Sequence, residues 1–112
     1  MELSTTRHGD MAIATVIATR IDAAAAIAFK DAVRAAVADG PDHVVLDLRQ
    51  VTFVDSSGLG AIVAAMKGMG AGRRLDLAGL TPDVAKVFRL TRMDKVFVIH
   101  DDPDRLIARA TG

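Results

Sequence analysis

The sequence predicts an α/β fold in which a central mixed β-sheet with parallel inner strands packs against about four helices. Runs of β-forming residues alternate with alanine-rich or amphipathic segments along most of the chain, and parallel strands need crossover segments of this kind. With 112 residues, 51% of them hydrophobic and 25% charged, the chain has room for one hydrophobic core. We therefore expect a single domain spanning residues 1–112.

The amino-terminal third predicts two strands followed by a helix. In "LSTTRHGDMAIATVIAT" (3–19), a Gly-Asp turn separates two β-forming runs. Asp22 can cap a helix that the following alanines favour and that the Gly-Pro pair at position 40 ends. Apolar residues recur along one face of this helix at Ala26, Phe29, Val33 and Val37. We expect that face to pack against the sheet.

The middle of the chain predicts a buried strand and a second helix. "HVVLDL" (43–48) is typical of a central strand covered on both faces, and its Asp47 is interpreted as a structural acid. The chain then reaches "DSSGLG" (55–60), and a helix that ends in "GMGAG" (68–72) follows. Its apolar residues have the spacing of one helical face: Leu59, Ile62, Val63 and Met66. The two serines therefore lie at a helix start.

The carboxyl-terminal third predicts strand, helix, strand and helix. "RRLDLAGL" (73–80) and "KVFVIH" (95–100) are the strands, and "DDPDRLIARA" (101–110) is a short final helix. The helix at 81–90 has Thr81 as its cap. Its inward face is Val84, Val87 and Phe88. The predicted order is β-β-α-β-α-β-α-β-α.

Composition excludes several classes of function. Lys plus Arg and Asp plus Glu each number 14, so the net charge is zero. The sequence has no Lys/Arg cluster large enough to indicate direct nucleic-acid binding. The amino terminus lacks a secretory signal, and no apolar run approaches the roughly 20 residues that span a bilayer. We therefore expect a cytoplasmic protein with no membrane insertion.

Catalysis and cofactor binding are not expected either. The chain has no cysteine, so a thiolate metal site is impossible. The three histidines, His8, His43 and His100, have no ligand spacing and are interpreted as surface or strand-end residues. No metal set and no paired acid and base can be assembled, so we predict no metal, no cofactor and no enzymatic activity.

The motif "TFVDSSGLG" (52–60) raises the question of function. The first N–H groups of a helix lack internal partners, and one serine hydroxyl suffices to cap them. The neighbouring serine is then free to face solvent, and Gly58 and Gly60 remove side chains that would crowd an approaching molecule. From spacing alone, plain capping and turn chemistry is the favoured explanation of the pattern. The motif does not fit a hydrolase nucleophile, because it lacks the first glycine of the pattern G-x-S-x-G. It does not fit a nucleotide-binding loop either, because the lysine of such a loop is missing.

Nearly the whole chain resembles a STAS domain, specifically the bacterial anti-anti-sigma factors, or anti-sigma factor antagonists. The resemblance is strongest over residues 44–99, from "VVLDLRQVTFVDSSGLG" through "MDKVFVI". The resemblance implies the element order given above. It also implies that the serine after the motif aspartate is phosphorylated by a partner that is both anti-sigma factor and serine kinase. That serine is Ser56 here, and Asp55, Ser57, Gly58 and Leu59 form the surrounding partner-binding surface.

The resemblance further concerns the segment before the first helix, where the family commonly reads Gly-Glu-Leu-Asp. Residues 19–22 read Thr-Arg-Ile-Asp here, so Asp22 is kept as a partner-binding residue while Arg20 replaces an acid. That exchange bears on which partner is bound. The family implies a PP2C-type phosphatase that resets Ser56. Two alternatives stay open: Ser57 as the acceptor, and a non-switching STAS subunit of a lipid-trafficking ABC transporter complex.

Overall fold

The computed structural model describes residues 1–111 and shows a mixed sheet with helices on both faces. The strands are Glu2–His8 (β1), Met11–Ile17 (β2), Arg20–Ile21 (β3), His43–Asp47 (β4), Phe53–Val54 (β5), Arg74–Ala78 (β6) and Ile99–His100 (β7). The helices are Ala26–Val37 (α1), Ser56–Gly68 (α2), Pro82–Leu90 (α3) and Pro103–Thr111 (α4), with a short 3-10 helix at Met93–Lys95. The predicted α/β class and four helices are confirmed.

The main sheet has the strand order β1-β2-β4-β6-β7. β1 pairs antiparallel with β2, and the remaining pairs are parallel. This arrangement confirms the predicted mixed sheet with parallel inner strands. The carboxyl ends of β4 and β6 lie at one edge of the sheet, and the loops that follow them share that edge.

Two short strands were not predicted. β3 and β5 form a separate two-stranded parallel sheet in which Arg20 pairs with Phe53 and Ile21 with Val54. Each strand has only two residues, too few to display a hydrophobic period in the sequence. Their pairing brings the start of α2 next to the loop that precedes α1.

The main hydrophobic core lies between the sheet and the first three helices. Phe29 and Val33 of α1, Ile62 of α2 and Phe88 of α3 are all almost completely buried there. Because side chains alternate across a strand, the other face of the sheet carries a second, smaller cluster beneath α4. Its members are Met11, Ile13, Val45, Ala78 and Leu106. The predicted inward faces of α1 and α2 are therefore confirmed. The inward face of α3 is confirmed at Val84 and Phe88, whereas Val87 is only half-buried and lies outside both clusters.

The start of the first helix differs from the prediction. α1 begins at Ala26, and Asp22 caps the preceding turn because its Oδ1 accepts the Ala25 N–H at 3.1 Å. Ala25 itself is the residue before the helix and offers no side-chain cap. The carboxylate of Asp22 stabilises the loop entering α1 rather than the helix itself.

The last strand is shorter than predicted. Residues 93–95 form a 3-10 helix, and only Ile99–His100 pair with β6. Phe97 instead turns into the core and meets Phe88 edge-to-face, with ring centroids 6.0 Å apart. The turn thus buries this aromatic side chain in the core, where an edge-to-face pair of this kind adds stability.

Two buried carboxylates lie on the sheet face that α4 covers. Asp47 pairs with Arg49 at 3.0 Å, which confirms its structural role. Asp76 is fully buried, and its Oδ2 lies within hydrogen-bond distance of the His43 Nε2 (2.9 Å), the His100 Nε2 (3.0 Å) and the Arg74 guanidinium (2.9 Å). Its Oδ1 accepts no hydrogen bond within residues 1–111. His43 and His100 are strand-end residues, as predicted, and meet across β6.

Candidate functional site at the start of α2

The first turn of α2 is capped by an acid and not by a serine. Asp55 has extended backbone angles, and its Oδ1 accepts the Gly58 N–H at 2.8 Å. The expectation that a serine hydroxyl provides this cap was wrong. A carboxylate at this position satisfies the same orphan donor and also interacts favourably with the positive end of the helix dipole.

Because Asp55 caps the helix, neither serine hydroxyl is needed to cap it. Ser56 and Ser57 are the first two residues of α2, and both are exposed. Neither hydroxyl makes a hydrogen bond to any residue among 1–111. Each hydroxyl is therefore accessible to an enzyme that modifies alcohols.

The other oxygen of Asp55 fastens a second segment to the site. Its Oδ2 accepts the Ala23 backbone N–H at 3.1 Å, so the loop between β3 and α1 is tied to the helix start. Asp22 lies in that loop, and its Oδ2 accepts the Arg20 Nε–H at 3.3 Å. The hydrogen bond from Arg20 lowers the pKa of Asp22 against the opposing effect of desolvation. The structure thus brings Asp22 and Asp55 to one corner.

Gly58 has a packing role. It is buried, and a Cβ built on it would overlap the carbonyl oxygen of Ile21. The expectation that Gly58 clears space for an approaching molecule was wrong, since the nearby group is the protein's own backbone. Gly60 is exposed and has open space around it. Gly60 alone fits that expectation.

Leu59 belongs to the hydrophobic core more than to the surface. It is half-buried and packs against the cluster beneath α1, α2 and α3. This agrees with its helical spacing relative to Ile62, Val63 and Met66. Only the part of Leu59 that remains accessible is available to a partner.

An exposed aromatic side chain beside the site was missed from the sequence. Phe53 is 39% exposed, whereas the other three phenylalanines are buried. The guanidinium carbon of Arg20 lies 4.1 Å from its ring centroid, within the range of a cation–π contact. Recognising this pair required the β3–β5 register, which the sequence does not reveal.

Other candidate groups do not join the site. Arg73 donates to the carbonyl oxygens of Val37 (2.8 Å) and Pro41 (3.0 Å), and Arg74 is engaged by Asp76. Within residues 1–111, no group of three or more His, Asp or Glu side chains has the arrangement of a metal site. In the same part of the chain, no helix is long and apolar enough to cross a membrane.

Comparison with known proteins agrees with this fold. Residues 2–106 match the family model of the STAS domain. A STAS-domain containing protein of Pseudomonas aeruginosa strain UCBPP-PA14 is 33% identical over 81 residues, which cover 71% of this chain and 79% of that protein.

Solved structures give the same result. An anti-sigma factor antagonist from Mycobacterium paratuberculosis is 26% identical, covers 99% of this chain and 94% of its own, and superposes with a TM-score of 0.83. The Bacillus cell fate determinant SpoIIAA in its phosphorylated form is 18% identical, covers 96% of each chain and has a TM-score of 0.68; at that identity the likeness concerns the fold. The chain therefore belongs to the STAS domain family, and its structural neighbours include anti-sigma factor antagonists.

Proposed function

We propose that this protein is an anti-sigma factor antagonist that is switched by phosphorylation of Ser56. In the unmodified state, the surface around Ser56 binds an anti-sigma factor that is also a serine kinase, and that partner releases its sigma factor. The observation that carries the proposal is the accessible, unbonded Ser56 hydroxyl directly after the capping Asp55. The antagonist fold of the mycobacterial neighbour supports it.

The charge of a phosphoserine is what switches binding. A phosphoryl group adds about −1.5 to −2 charges at pH 7. It enters a corner that already holds the carboxylates of Asp22 and Asp55, of which only Asp22 has a nearby cation, Arg20. A partner that covers this corner leaves the new charge poorly paired, at a cost of roughly 3 kcal/mol. That cost lowers affinity about a hundredfold.

The fold itself tolerates the modification. Ser56 does not cap α2, so phosphorylation leaves the Asp55–Gly58 hydrogen bond in place. An anionic group at a helix start gains roughly 0.3 to 1 kcal/mol from the helix dipole. Phosphorylation therefore acts on binding and leaves stability nearly unchanged.

The remaining components of the system lie in partner proteins. The kinase partner binds ATP and transfers its terminal phosphoryl group to the Ser56 hydroxyl oxygen, leaving ADP, and a PP2C-type phosphatase hydrolyses the phosphoserine. The antagonist itself acts in the cytoplasm by competitive binding, without catalysis, cofactor, nucleic-acid contact or membrane insertion.

Phosphosite mapping tests the assignment of Ser56. The protein is first used to isolate its anti-sigma kinase from native cells, and the purified pair is incubated with ATP and analysed by tandem mass spectrometry. We expect modification of the parent and of Ser57→Ala, and none of Ser56→Ala. Ser57→Ala is a matched control because both hydroxyls are exposed and unbonded. Modification of Ser56→Ala at Ser57, or recovery of a transporter ATPase as the partner, would overturn the proposal.

A further inference from the structure

The cationic side chains of this protein fall into bonded and unbonded groups. Of the 14 Lys and Arg residues, six arginines make ion pairs or hydrogen bonds: Arg7, Arg20, Arg34, Arg49, Arg73 and Arg74. The others have no such partner within residues 1–111. Half of these unpartnered cations are concentrated in the ten residues 86–95, which run from α3 through the following turn to the end of the 3-10 helix: Lys86, Arg89, Arg92 and Lys95.

Exposed aliphatic side chains lie in the same segment. Leu90 is 72% exposed and Val96 is 48% exposed, although both are large hydrophobic residues. Lys86 and Leu90 are four residues apart on α3 and share a helix face. We call the six residues Lys86, Arg89, Leu90, Arg92, Lys95 and Val96 the basic–aliphatic surface. Val98, 50% exposed, extends it along the chain.

Arg92 marks this surface independently of its charge. With φ 62° and ψ 18° it is the only non-glycine residue with positive φ in the described chain. It directly follows Thr91, the C-cap residue of α3, at a position where glycine is favoured because it has no Cβ. An arginine there sacrifices backbone stability, and its guanidinium has no partner within residues 1–111. Strained backbone of this kind is typical of functional positions.

The basic–aliphatic surface lies away from Ser56. The loop after β4 leads to Ser56, and the Thr81 hydroxyl at the start of α3 donates to Val51 in that loop at 2.7 Å. α3 begins at that edge and runs back toward the opposite end of the sheet, because β7 is parallel to β6. Leu90 and Arg92 therefore lie at the far end of α3 from the phosphorylation site.

We propose that the basic–aliphatic surface is a second docking site, which binds an acidic amphipathic helical segment of a partner protein. Four cations against two acids, Asp83 and Asp94, make residues 82–95 complementary to carboxylates. Leu90 and Val96 supply the apolar contact that such a helix needs. This inference goes beyond the Ser56 switch and does not depend on it.

A protein segment fits this surface better than a lipid bilayer does. The apolar face of α3 is already buried through Val84 and Phe88, so the helix cannot turn it toward lipid. The aromatic residues of the segment, Phe88 and Phe97, are buried. Membrane-binding helices generally present a broad apolar face and aromatic anchors.

Amide chemical shifts measured during peptide titration test the proposal. The probe is a synthetic helical peptide with Glu and Leu along one face, and the control peptide has Gln in place of Glu. We expect the Glu peptide to shift amides within residues 86–98 and to leave Ser56 and Ser57 unperturbed. Binding that is equal for the Gln peptide, or shifts centred outside residues 86–98, would overturn the proposal.

Two variants and one matched control sharpen the test. Leu90→Glu and Arg92→Gly should each lower the affinity for the Glu peptide about tenfold. Arg92→Gly should also raise the melting temperature of the protein by about 4 °C. Lys67→Ala removes another exposed, unpartnered cation, on α2, and should bind like the parent. If Arg92→Gly is more stable than the parent but binds the Glu peptide less tightly, the loss of binding is not caused by a loss of folding. The docking site would be contradicted if Lys67→Ala weakened peptide binding equally, or if Arg92→Gly bound the peptide with full affinity.

Two alternative occupants are outcomes of parallel measurements on the parent and Leu90→Glu. Co-sedimentation with phosphatidylglycerol vesicles that Leu90→Glu abolishes would replace the proposal with a membrane site. A dimer, detected by sedimentation velocity and lost in Leu90→Glu, would replace it with self-association. We expect the parent to stay unbound to vesicles and monomeric in these measurements.

Discussion

The Oδ2 of Asp55 accepts the backbone N–H of Ala23 at 3.1 Å, while the Oδ1 of the same carboxylate caps α2 at Gly58. One side chain thus joins the loop before α1 to the helix that starts with Ser56. The residues that we propose as the partner-binding surface around Ser56 are consequently held in a fixed relation to the proposed phosphorylation site.

Replacing Asp55 should destabilise the fold through loss of both hydrogen bonds. We expect Asp55→Ala to lower the free energy of unfolding by about 1 to 2 kcal/mol, the usual cost of removing a helix N-cap. Urea denaturation followed by circular dichroism measures this. Asp55→Asn is the control: its amide oxygen can still accept the Gly58 N–H, but its NH2 group cannot accept the Ala23 N–H, so it should recover only the capping part of the loss. An unfolding free energy for Asp55→Ala equal to that of the parent would contradict the role assigned to this carboxylate.

The two motif glycines should respond oppositely to alanine. Gly58→Ala places a methyl group against the Ile21 carbonyl oxygen, and we expect it to cost about 1 to 3 kcal/mol of stability because backbone must move. Gly60→Ala meets open space and should gain about 0.5 kcal/mol through higher helix propensity. Thermal and urea unfolding of both variants provide the comparison. Similar effects from the two substitutions would refute the packing role of Gly58.

Stability should fall in acid because of Asp76. Burial alone would raise the pKa of this carboxyl, but hydrogen bonds from His100, His43 and Arg74 outweigh burial and hold the pKa below its ordinary value of 3.8. A depressed pKa in the folded state stabilises the protein above pH 3.8, and this contribution is lost as the pH falls below that value toward the folded-state pKa.

Asp76→Asn isolates this contribution. At pH 7 we expect it to lower the free energy of unfolding by about 2 kcal/mol, because hydrogen bonds to a charged acceptor are lost. The difference between parent and variant should shrink as the pH is lowered from 5 to 3 in urea denaturation series. Asp39→Asn, at an exposed acid with no partner in the described chain, should show neither effect. A parent–variant difference that stays constant over this pH range would contradict the account.

A charge at position 56 should separate binding from stability. Ser56→Asp is expected to keep the melting temperature of the parent within about 2 °C, since the acid sits at a helix start without disturbing the cap. It should nevertheless fail to bind the anti-sigma kinase in a pull-down, whereas Ser56→Ala binds but resists phosphorylation. Equal recovery of the partner by Ser56→Asp and the parent would count against the switch.

The sequence predicted those features of the fold that depend on residues close together in the chain. The spacing of Phe29, Val33 and Val37 fixed the inward face of α1, and "HVVLDL" indicated the central strand. The motif also placed Ser56 and Ser57 correctly at a helix start. Asp55 and the serines are all good N-caps, so sequence alone could not decide which of them caps α2.

Features that depend on distant residues escaped prediction. The reason for Gly58 is the approach of Ile21, and the exposed Phe53 is covered by Arg20 only because β3 and β5 pair. The cluster on Asp76 joins His43 and His100 across 33 and 24 residues of sequence. Each contact requires the register of the sheet, which hydrophobic periodicity does not specify at this precision.

Whether phosphorylation switches binding is decided by the affinity of the anti-sigma kinase for unmodified protein and for protein stoichiometrically phosphorylated at Ser56, measured by isothermal titration calorimetry. We predict a dissociation constant about a hundredfold higher for the phosphorylated form, with closely similar melting temperatures. Equal dissociation constants for the two forms would contradict the phosphorylation switch.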